Sequence, residues 1–407
     1  DAGHLTATNS GAANINLVNS AADTTIDGLA AAGGNISYTQ TVGNLTVDGD
    51  ITSGTAGIID GGDITITATN GQFVLNKDVS SKAGAGGATY IKGITQNGNV
   101  TAGKGDIALI GGCSNMTINV DQISGTNITY SADNDIIVNA LLQTTNSGMD
   151  IDLRADADAN AVGGVWITPT GRLDSAGDIL VQGSDLSITP GVRDSVKIDT
   201  NYIAAAGNIT IESGPAAPAD ADILLNGAIT AGTNVIISAA HSIKSGGDIS
   251  ATNQMTLIAA GGAINQTNGT LTAGGLEFNA TNGPVTLAQA GNDIGTIAGT
   301  AGGSITLADK DDLTIGAVGG ETGVDSLDTG NITLTAATNI NLNADVLATG
   351  NRVTLTATGG AIDQTAGTVT ASNVVLSATN GIGAVSPISL DAGHLTATNS
   401  GAANINL

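Results

Sequence analysis

Short segments in which apolar and polar residues alternate recur along the whole chain. Examples are GNISY from Gly34, GNLTV from Gly43, GDILV from Gly177, GNITI from Gly207 and GNITL from Gly330. A period of two places successive side chains on opposite faces of a strand, so each segment predicts a strand with one buried face. The Gly-Asn or Gly-Asp pair that opens each segment is expected to supply the positive φ of a tight corner. No stretch shows sustained helical periodicity.

Two all-β architectures could contain such strands. Strands of about five residues that recur after single turns are typical of a parallel β-solenoid with about 20 residues per coil. The alternative is a string of β-sandwich modules, which need longer strands and a bulky aromatic core. One Trp and two Phe in 407 residues would fill such cores badly. The sequence therefore predicts a parallel β-solenoid, with Ile, Leu and Val stacked inside and Thr, Asn and Ser outside.

The chain also repeats on a larger scale. The sequence DAGHLTATNSGAANINL fills residues 1–17 and returns unchanged at residues 391–407. We interpret residues 1–390 as one tandem repeat and residues 391–407 as the start of the next identical one. No Pro-rich or Gly/Ser-rich spacer marks the boundary, so neighbouring repeats are expected to continue the same coil and to cover each other's strand edges. At ~20 residues per coil one repeat would hold ~19 coils, an elongated rod on the order of 90 Å long.

A shorter duplication lies within the repeat. GGAINQT from Gly261 returns as GGAIDQT from Gly359, and the similarity continues into the residues that follow. We interpret this as a block of several coils that was copied once.

Charge and composition limit the partners. The chain carries 36 Asp and Glu against 11 Lys and Arg, a net charge of −25, which disfavours binding to nucleic acid and to anionic membrane surfaces. No apolar run approaches the ~18 residues of a membrane helix, so we expect no membrane insertion of this segment. An export signal would have to lie outside it. The single cysteine, Cys113, cannot form an internal disulfide and is interpreted as a small core or corner residue.

One stretch carries a family resemblance. GNITLTAATNINLNADVLATG, from Gly330 to Gly350, resembles the coils of filamentous-haemagglutinin-type β-helices, which are large bacterial surface proteins exported by two-partner or autotransporter routes. The resemblance extends over nearly the whole chain, although its motifs are degenerate and carry no catalytic signature. It implies a right-handed parallel β-helix, secretion and display at the cell surface, and a role in adhesion or in an extracellular filament.

Acidic residues are the main candidates for chemistry. They form three groups: Asp150, Asp152, Asp156 and Asp158; Asp220 and Asp222; and Asp309, Asp311 and Asp312. Because Asp is a favoured turn residue, the groups are interpreted first as solvated corner loops. Weak Ca²⁺ sites are the second interpretation, since Ca²⁺ takes several carboxylate and carbonyl oxygens, and the candidates are Asp156, Asp158, Asp309, Asp311 and Asp312. We expect no other metal or cofactor.

Histidine and tryptophan add little. His4 and His394 occupy the same position of successive repeats, and neither they nor His241 have a second ligand at metal-binding spacing. We expect them to be surface polar residues. Trp166 is either a platform for stacking a sugar or a filled niche in the core or at a loop, and the niche is favoured.

The leading expectation for function is structural: a non-catalytic repeat of a giant extracellular fibre or surface filament. Its partner would be itself, through end-to-end continuation of tandem repeats and through lateral assembly, with a host or neighbouring cell surface as a further partner. The alternative is the stalk of a bacterial adhesin that presents a binding tip elsewhere. A β-helical enzyme acting on polysaccharide is the third hypothesis, and it would need one non-repeated cleft with clustered carboxylates.

Overall fold

A computed structural model describes the residues 3–11, 13–21, 23–54, 64–68, 73–77, 79–81, 89–92, 94–96, 100–102, 107–111, 116–157, 159–186, 193–327 and 330–407. Every regular element in these ranges is a β-strand. The same ranges contain no helix long and apolar enough to span a membrane. The chain forms two compact units, Asp1–Pro218 (unit 1) and Ala219–Leu407 (unit 2).

Unit 1 is built from short strands. They are β1 (His4–Asn9), β2 (Ile15–Asn19), β3 (Asp23–Ala31), β4 (Ile36–Gln40), β5 (Asn44–Val47), β6 (Ile51–Ser53), β7 (Ile64–Ala68), β8 (Phe73–Leu75), β9 (Val79–Ser81), β10 (Thr89–Lys92), β11 (Ile94–Gln96), β12 (Val100–Ala102), β13 (Ile107–Gly111), β14 (Met116–Ile118), β15 (Gln122–Ser124), β16 (Ile128–Ala132), β17 (Ile136–Val138), β18 (Leu141–Thr144), β19 (Ile151–Arg154), β20 (Val165–Ile167), β21 (Arg172–Ser175), β22 (Ile179–Gly183), β23 (Asp194–Ile198), β24 (Ile203–Ala205) and β25 (Ile209–Ser213).

Unit 2 has the same character with some longer strands that bend round a corner. They are β26 (Asp222–Leu225), β27 (Ile229–Ala231), β28 (Val235–Ala239), β29 (Ile243–Ser245), β30 (Ile249–Ala251), β31 (Gln254–Ala259), β32 (Ile264–Gln266), β33 (Leu271–Ala280), β34 (Val285–Leu287), β35 (Asp293–Ala301), β36 (Ile305–Asp309), β37 (Leu313–Ile315), β38 (Ala317–Val318), β39 (Glu321–Thr322), β40 (Val324–Asp325), β41 (Ile332–Ala336), β42 (Ile340–Leu342), β43 (Val346–Ala357), β44 (Ile362–Gln364), β45 (Val369–Ala378) and β46 (Leu390–Asn399).

The strands stack in parallel, one coil upon the next. In unit 1, β13 pairs with β16, β16 with β19, and β19 with β22, so each coil contributes three strands. In unit 2, β26, β27 and β28 pair in the same way with β29, β30 and β31. Among the strands named above, β38 and β39 pair antiparallel, as a small hairpin. The predicted all-β parallel solenoid is confirmed in each unit, while its handedness stays a prediction.

Coil length is close to the expected value but is not uniform. Ile15 pairs with Ile36 after 21 residues, and Val235 pairs with Met255 after 20. Val165, however, meets Val196 only after 31 residues, and Ile305 meets Ile332 after 27. The second of these coils contains the β38–β39 hairpin, and in both coils the strands on either side keep their parallel pairing.

Inward side chains form continuous apolar columns in both units. Ile128, Ile151, Ile179 and Ile209 follow one another in register in unit 1, each at most 1 % exposed. The outward neighbours alternate with such residues as expected: Thr306, Thr333 and Thr354 of unit 2 lie side by side and are half-buried. Each fully buried Ile contributes about 1.5–3 kcal/mol relative to an exposed one, so the columns supply most of the stabilisation.

Glycines at the corners serve a different purpose from the one expected. Of the five quoted segments only GNLTV opens with a positive φ, 78° at Gly43, and the expectation is wrong for the other four. A Cβ added at Gly177 would lie 2.3 Å from Asp150 Oδ1, and one at Gly34 would lie 2.2 Å from the carbonyl oxygen of Ala13. These glycines are needed because the preceding coil leaves no room for a side chain.

An Asn or Asp just before each of four stacked strands links neighbouring coils; it follows Gly177 and Gly207 in two of the coils, and Thr126 and Met149 in the other two. The Asp150 amide donates to Asn127 Oδ1 at 2.8 Å, the Asp178 amide to Asp150 Oδ1 at 2.7 Å, and the Asn208 amide to Asp178 Oδ1 at 2.7 Å. We call these four residues the corner ladder. A side-chain oxygen here accepts a backbone N–H of the next coil, and the interstrand hydrogen bonding therefore continues through the corner.

Replacing Asp178 tests the corner ladder. Asp178→Ala is expected to lower the free energy of unfolding by about 1 kcal/mol, because the Asn208 amide loses its acceptor. Asp178→Asn keeps an oxygen at that position and should stay close to the wild type. Urea-induced unfolding followed by circular dichroism measures both variants, and equal losses for Ala and Asn would contradict the proposed role of the oxygen.

Candidate functional site

The acidic group at residues 309–312 does not converge on a common point. Asp309 is 3 % exposed, and its two carboxylate oxygens accept the amides of Ile294 at 2.8 Å and Asp311 at 2.9 Å. Asp312 Oδ1 instead accepts the Thr338 hydroxyl and the Asn339 amide, one coil further on. The carboxylates of Asp309 and Asp312 therefore accept hydrogen bonds from different backbone amides and hydroxyls of unit 2.

These different surroundings move the two pKa values apart. Burial raises the pKa of Asp309 to about 6; the amides of Asp311 and Ile294 oppose the rise, and the Asp311 carboxyl adds to it. The pKa of Asp312 is held below its ordinary value by the Thr338 hydroxyl and by the Asn339 amide. Asp309 can therefore take up a proton in mildly acidic solution, whereas Asp312 stays ionised there.

The described residues of the first acidic group are spread along one coil, from the corner before β19 to the loop after it. Asp150 belongs to the corner ladder, and Asp152 forms an ion pair of 2.9 Å with Arg154 on the outward side of β19. Burial nevertheless raises the pKa of Asp152, against the opposing effect of Arg154. Asp156 lies in the loop that joins β19 to β20, and it is buried. Asp158 lies outside the described residues.

Stacking assembles one polar cluster that sequence spacing does not reveal. Asp222 of β26 meets His241 and Lys244, which lie on the next coil. Asp222 Oδ1 is 2.7 Å from His241 Nδ1 and accepts the Ser242 amide at 3.1 Å, while Asp222 Oδ2 accepts Lys244 Nζ. Burial alone would raise the pKa of Asp222, but the hydrogen bonds from Lys244 and His241 lower it overall. Asp222 is 19 residues from His241 and 22 from Lys244, and because coil length varies no fixed period pairs it with both.

The cluster contains Ser, His and Asp without the geometry of a catalytic triad. Ser242 Oγ lies 3.1 Å from His241 Nδ1, the same nitrogen that Asp222 approaches. A triad needs the carboxylate on one ring nitrogen and the nucleophile on the other. The Ser242 hydroxyl also accepts the Ala263 amide of the following coil at 3.1 Å. The arrangement holds three coils together at a corner.

Trp166 stands on the outward side of β20 rather than in the core. Its neighbours in the stacked strands are Ile137 on the preceding coil and Lys197 on the following one. The indole Nε1 donates to Asp199 Oδ2 at 2.8 Å, and Lys197 Nζ lies 5.1 Å from the ring centroid and 3.2 Å from the same carboxylate oxygen. A cation–π contact therefore occupies part of the ring surface that a sugar would need.

The remaining candidates are isolated. His4 Nδ1 lies 3.2 Å from Asp27 Oδ2 at an exposed position, and His394 is also exposed. Cys113 lies outside the described residues. Among the residues that the structure does describe, no three His, Cys, Asp or Glu side chains come together as a metal site. No protein-family model, curated protein or solved structure matches the chain.

The two aspartates with opposite pKa shifts give a pH test. An acid whose folded pKa is raised stabilises the fold at low pH, and this contribution is lost as the pH rises from its ordinary value of 3.8 through about 6. Between pH 5 and pH 8 the wild type should therefore lose about 1 kcal/mol of unfolding free energy relative to Asp309→Asn.

Asp312→Asn is the matched control for this measurement. The pKa of Asp312 is lowered, so its contribution is complete above 3.8 and is lost only as the pH falls below that value. Its difference from the wild type should therefore be flat between pH 5 and pH 8. Unfolding curves at several pH values measure both differences, and parallel curves for the two variants would refute the assignment to Asp309.

Proposed function

We propose that this chain is a structural repeat of an extracellular fibre or surface filament, in which successive tandem repeats continue one solenoid. The observation that carries the proposal is the stacking of the two identical segments, residues 1–17 and 391–407. The copy at 391–407 is stacked on the coil that precedes it, and the copy at 1–17 is covered by the coil that follows it.

The second copy pairs with the preceding coil in parallel register. Leu395 lies beside Val374, Ala397 beside Leu376, and Asn399 beside Ala378. Ile405 bridges to Ile382 further along the same coil. The segment thus pairs with the coil before it in parallel, as the other coils of unit 2 pair with theirs.

The first copy shows the same residues against a following coil. Leu5, Ala7 and Asn9, equivalent to Leu395, Ala397 and Asn399, lie beside Ile26, Leu29 and Ala31. A single register shift after Leu5 separates the first of these pairs from the other two. Ile15, equivalent to Ile405, lies beside Ile36. The same sequence therefore packs against a preceding coil in one copy and against a following coil in the other.

If the two copies are superposed, the column of apolar side chains below one copy continues into the column above the other. Val374, Leu395 and Ile26 would follow one another, as would Ile382, Ile405 and Ile36. Ile405 is 41 % exposed, whereas its equivalent Ile15, with a coil stacked on it, is 8 % exposed. The difference measures how much apolar surface the next repeat would cover, and burying apolar surface favours continuation.

The setting of the fibre rests on other grounds. The resemblance of the coils to filamentous-haemagglutinin-type β-helices supports secretion and display at a cell surface. The net charge of −25 favours solubility of a long assembly. An adhesin stalk is the same object with a binding tip elsewhere, and it would be distinguished by a receptor that binds outside the repeats.

A chain of two tandem repeats tests the proposal directly. Electron microscopy should show one unbroken rod, longer than the rod of a single repeat by about 80–90 Å. Leu395→Asp at the junction should introduce a hinge and lower the melting temperature, because a charge enters the apolar column. Thr396→Asp, an outward change in the same strand, is the control and should leave the rod straight. Two separate particles joined by a flexible link in the unmodified chain would refute the proposal.

A further inference from the structure

We propose that Asp156, with Asn160 and Ala161 in the loop between β19 and β20 of unit 1, forms a Ca²⁺ site. This assignment is independent of the role as a fibre. It rests on a buried carboxylate oxygen of Asp156 that lacks a hydrogen-bond partner, and on the backbone conformation of the described residues beside it.

The carboxylate of Asp156 is only half satisfied. Asp156 is 8 % exposed. Its Oδ1 accepts the amides of Asn160 at 2.8 Å and Ala161 at 3.2 Å, both within the loop. Its Oδ2 is fully buried and has no hydrogen-bond partner. Within the described part of the chain it is the one carboxylate oxygen in that condition. A buried carboxylate oxygen without a hydrogen-bond partner is costly, and a bound cation removes the cost.

The loop is wound as a compact turn around that carboxylate. Asp156, Ala159 and Ala161 have φ values of 58°, 56° and 69°, a left-handed conformation that residues with a side chain rarely adopt. The Ala159 amide donates to the carbonyl of Asp156 at 3.0 Å, and the Val162 amide donates to Asn160 Oδ1 at 2.8 Å. These hydrogen bonds and positive φ values bring Asn160 and Ala161 back toward the Asp156 carboxylate.

The order of residues matches the opening of a Ca²⁺-binding loop. Such loops carry side-chain ligands at positions one, three and five, the fifth being Asp or Asn, and the chain turns sharply at position six. Asp156 and Asn160 occupy the first and fifth positions here, and Ala161 makes the turn at the sixth.

The donor set selects the ion and predicts its affinity. Carboxylate, amide and carbonyl oxygens suit a hard cation, and the flexible geometry of Ca²⁺ suits a loop better than the octahedral demand of Mg²⁺. The twelfth position, where a bidentate Glu strengthens other Ca²⁺ loops, is the buried Ile167 of β20. We therefore expect a dissociation constant of about 0.1–1 mM, typical of extracellular modules.

Asp309 is a buried carboxylate in the same protein that has no unpartnered oxygen, and it serves as the control. Both of its oxygens already accept backbone amides. It therefore has no oxygen to offer without losing an existing hydrogen bond, and Asp309→Asn should leave Ca²⁺ binding unchanged.

Calorimetric titration of the metal-stripped 407-residue chain with CaCl₂ tests the site. At ~150 mM NaCl, which screens the acidic surface, we expect one saturable site per chain and a melting temperature that rises by a few degrees in ~5 mM Ca²⁺ but not in ~5 mM Mg²⁺. Asp156→Asn should weaken binding at least ~10-fold and abolish the thermal shift, since it keeps one oxygen for the loop amides and removes the charge.

The outcomes separate the site from its alternatives. Absence of saturable binding by ~10 mM Ca²⁺ would overturn the proposal. So would equal binding by the wild type and Asp156→Asn, which would indicate general attraction to the acidic surface. If Asp156→Asn fails to fold, Asn160→Ala serves in its place, and an unchanged affinity there would equally overturn the proposal.

Discussion

Every coil of a parallel solenoid depends on its neighbours for its backbone hydrogen bonds. The N–H and C=O groups along a strand edge cannot be satisfied within one coil, and leaving them unpaired in a buried position is costly. The strands of each coil must therefore lie in register with the strands of the coil before it. The apolar columns, the glycines at close approaches and the corner ladder all follow from this constraint. The longer coils respect it too, since Val165 still pairs with Val196, and Ile305 with Ile332, in parallel register.

Corners are where the constraint is hardest to meet, because a turn interrupts the backbone ladder. Side chains bridge that gap in two ways. The Asn and Asp of the corner ladder accept amides of the next coil, and buried glutamines secure the turn after a strand. Gln266 donates to the carbonyl of Gly269 at 2.9 Å, and Gln364 donates to that of Gly367 at 2.7 Å. Both glutamines belong to the GGAI(N/D)QT duplication, so the copied block carried a structural device with it.

Strand positions and the inward or outward direction of side chains could be predicted from the sequence, because both depend only on local alternation. The parallel solenoid could be predicted as well, since small aliphatic residues with few aromatics fit a thin core. Contacts between coils were harder, because coil length varies and a fixed period places partners wrongly. Asp222 and His241 meet only when residues 219–244 are wrapped into coils. The role of the corner glycines could not be predicted for the same reason. Glycine is required there because a neighbouring coil approaches closely, and the local sequence does not show that contact.

If successive repeats continue one solenoid, the segment DAGHLTATNSGAANINL is an ordinary coil with a neighbour on both sides. Hydrogen–deuterium exchange of the peptide 391–407, in a chain extended by a second tandem repeat, tests it most directly. Stacking on both sides predicts slow exchange, comparable to that of the coils containing β28 and β31, and much slower exchange than in the 407-residue chain. Equally fast exchange of this peptide in both chains would contradict the account.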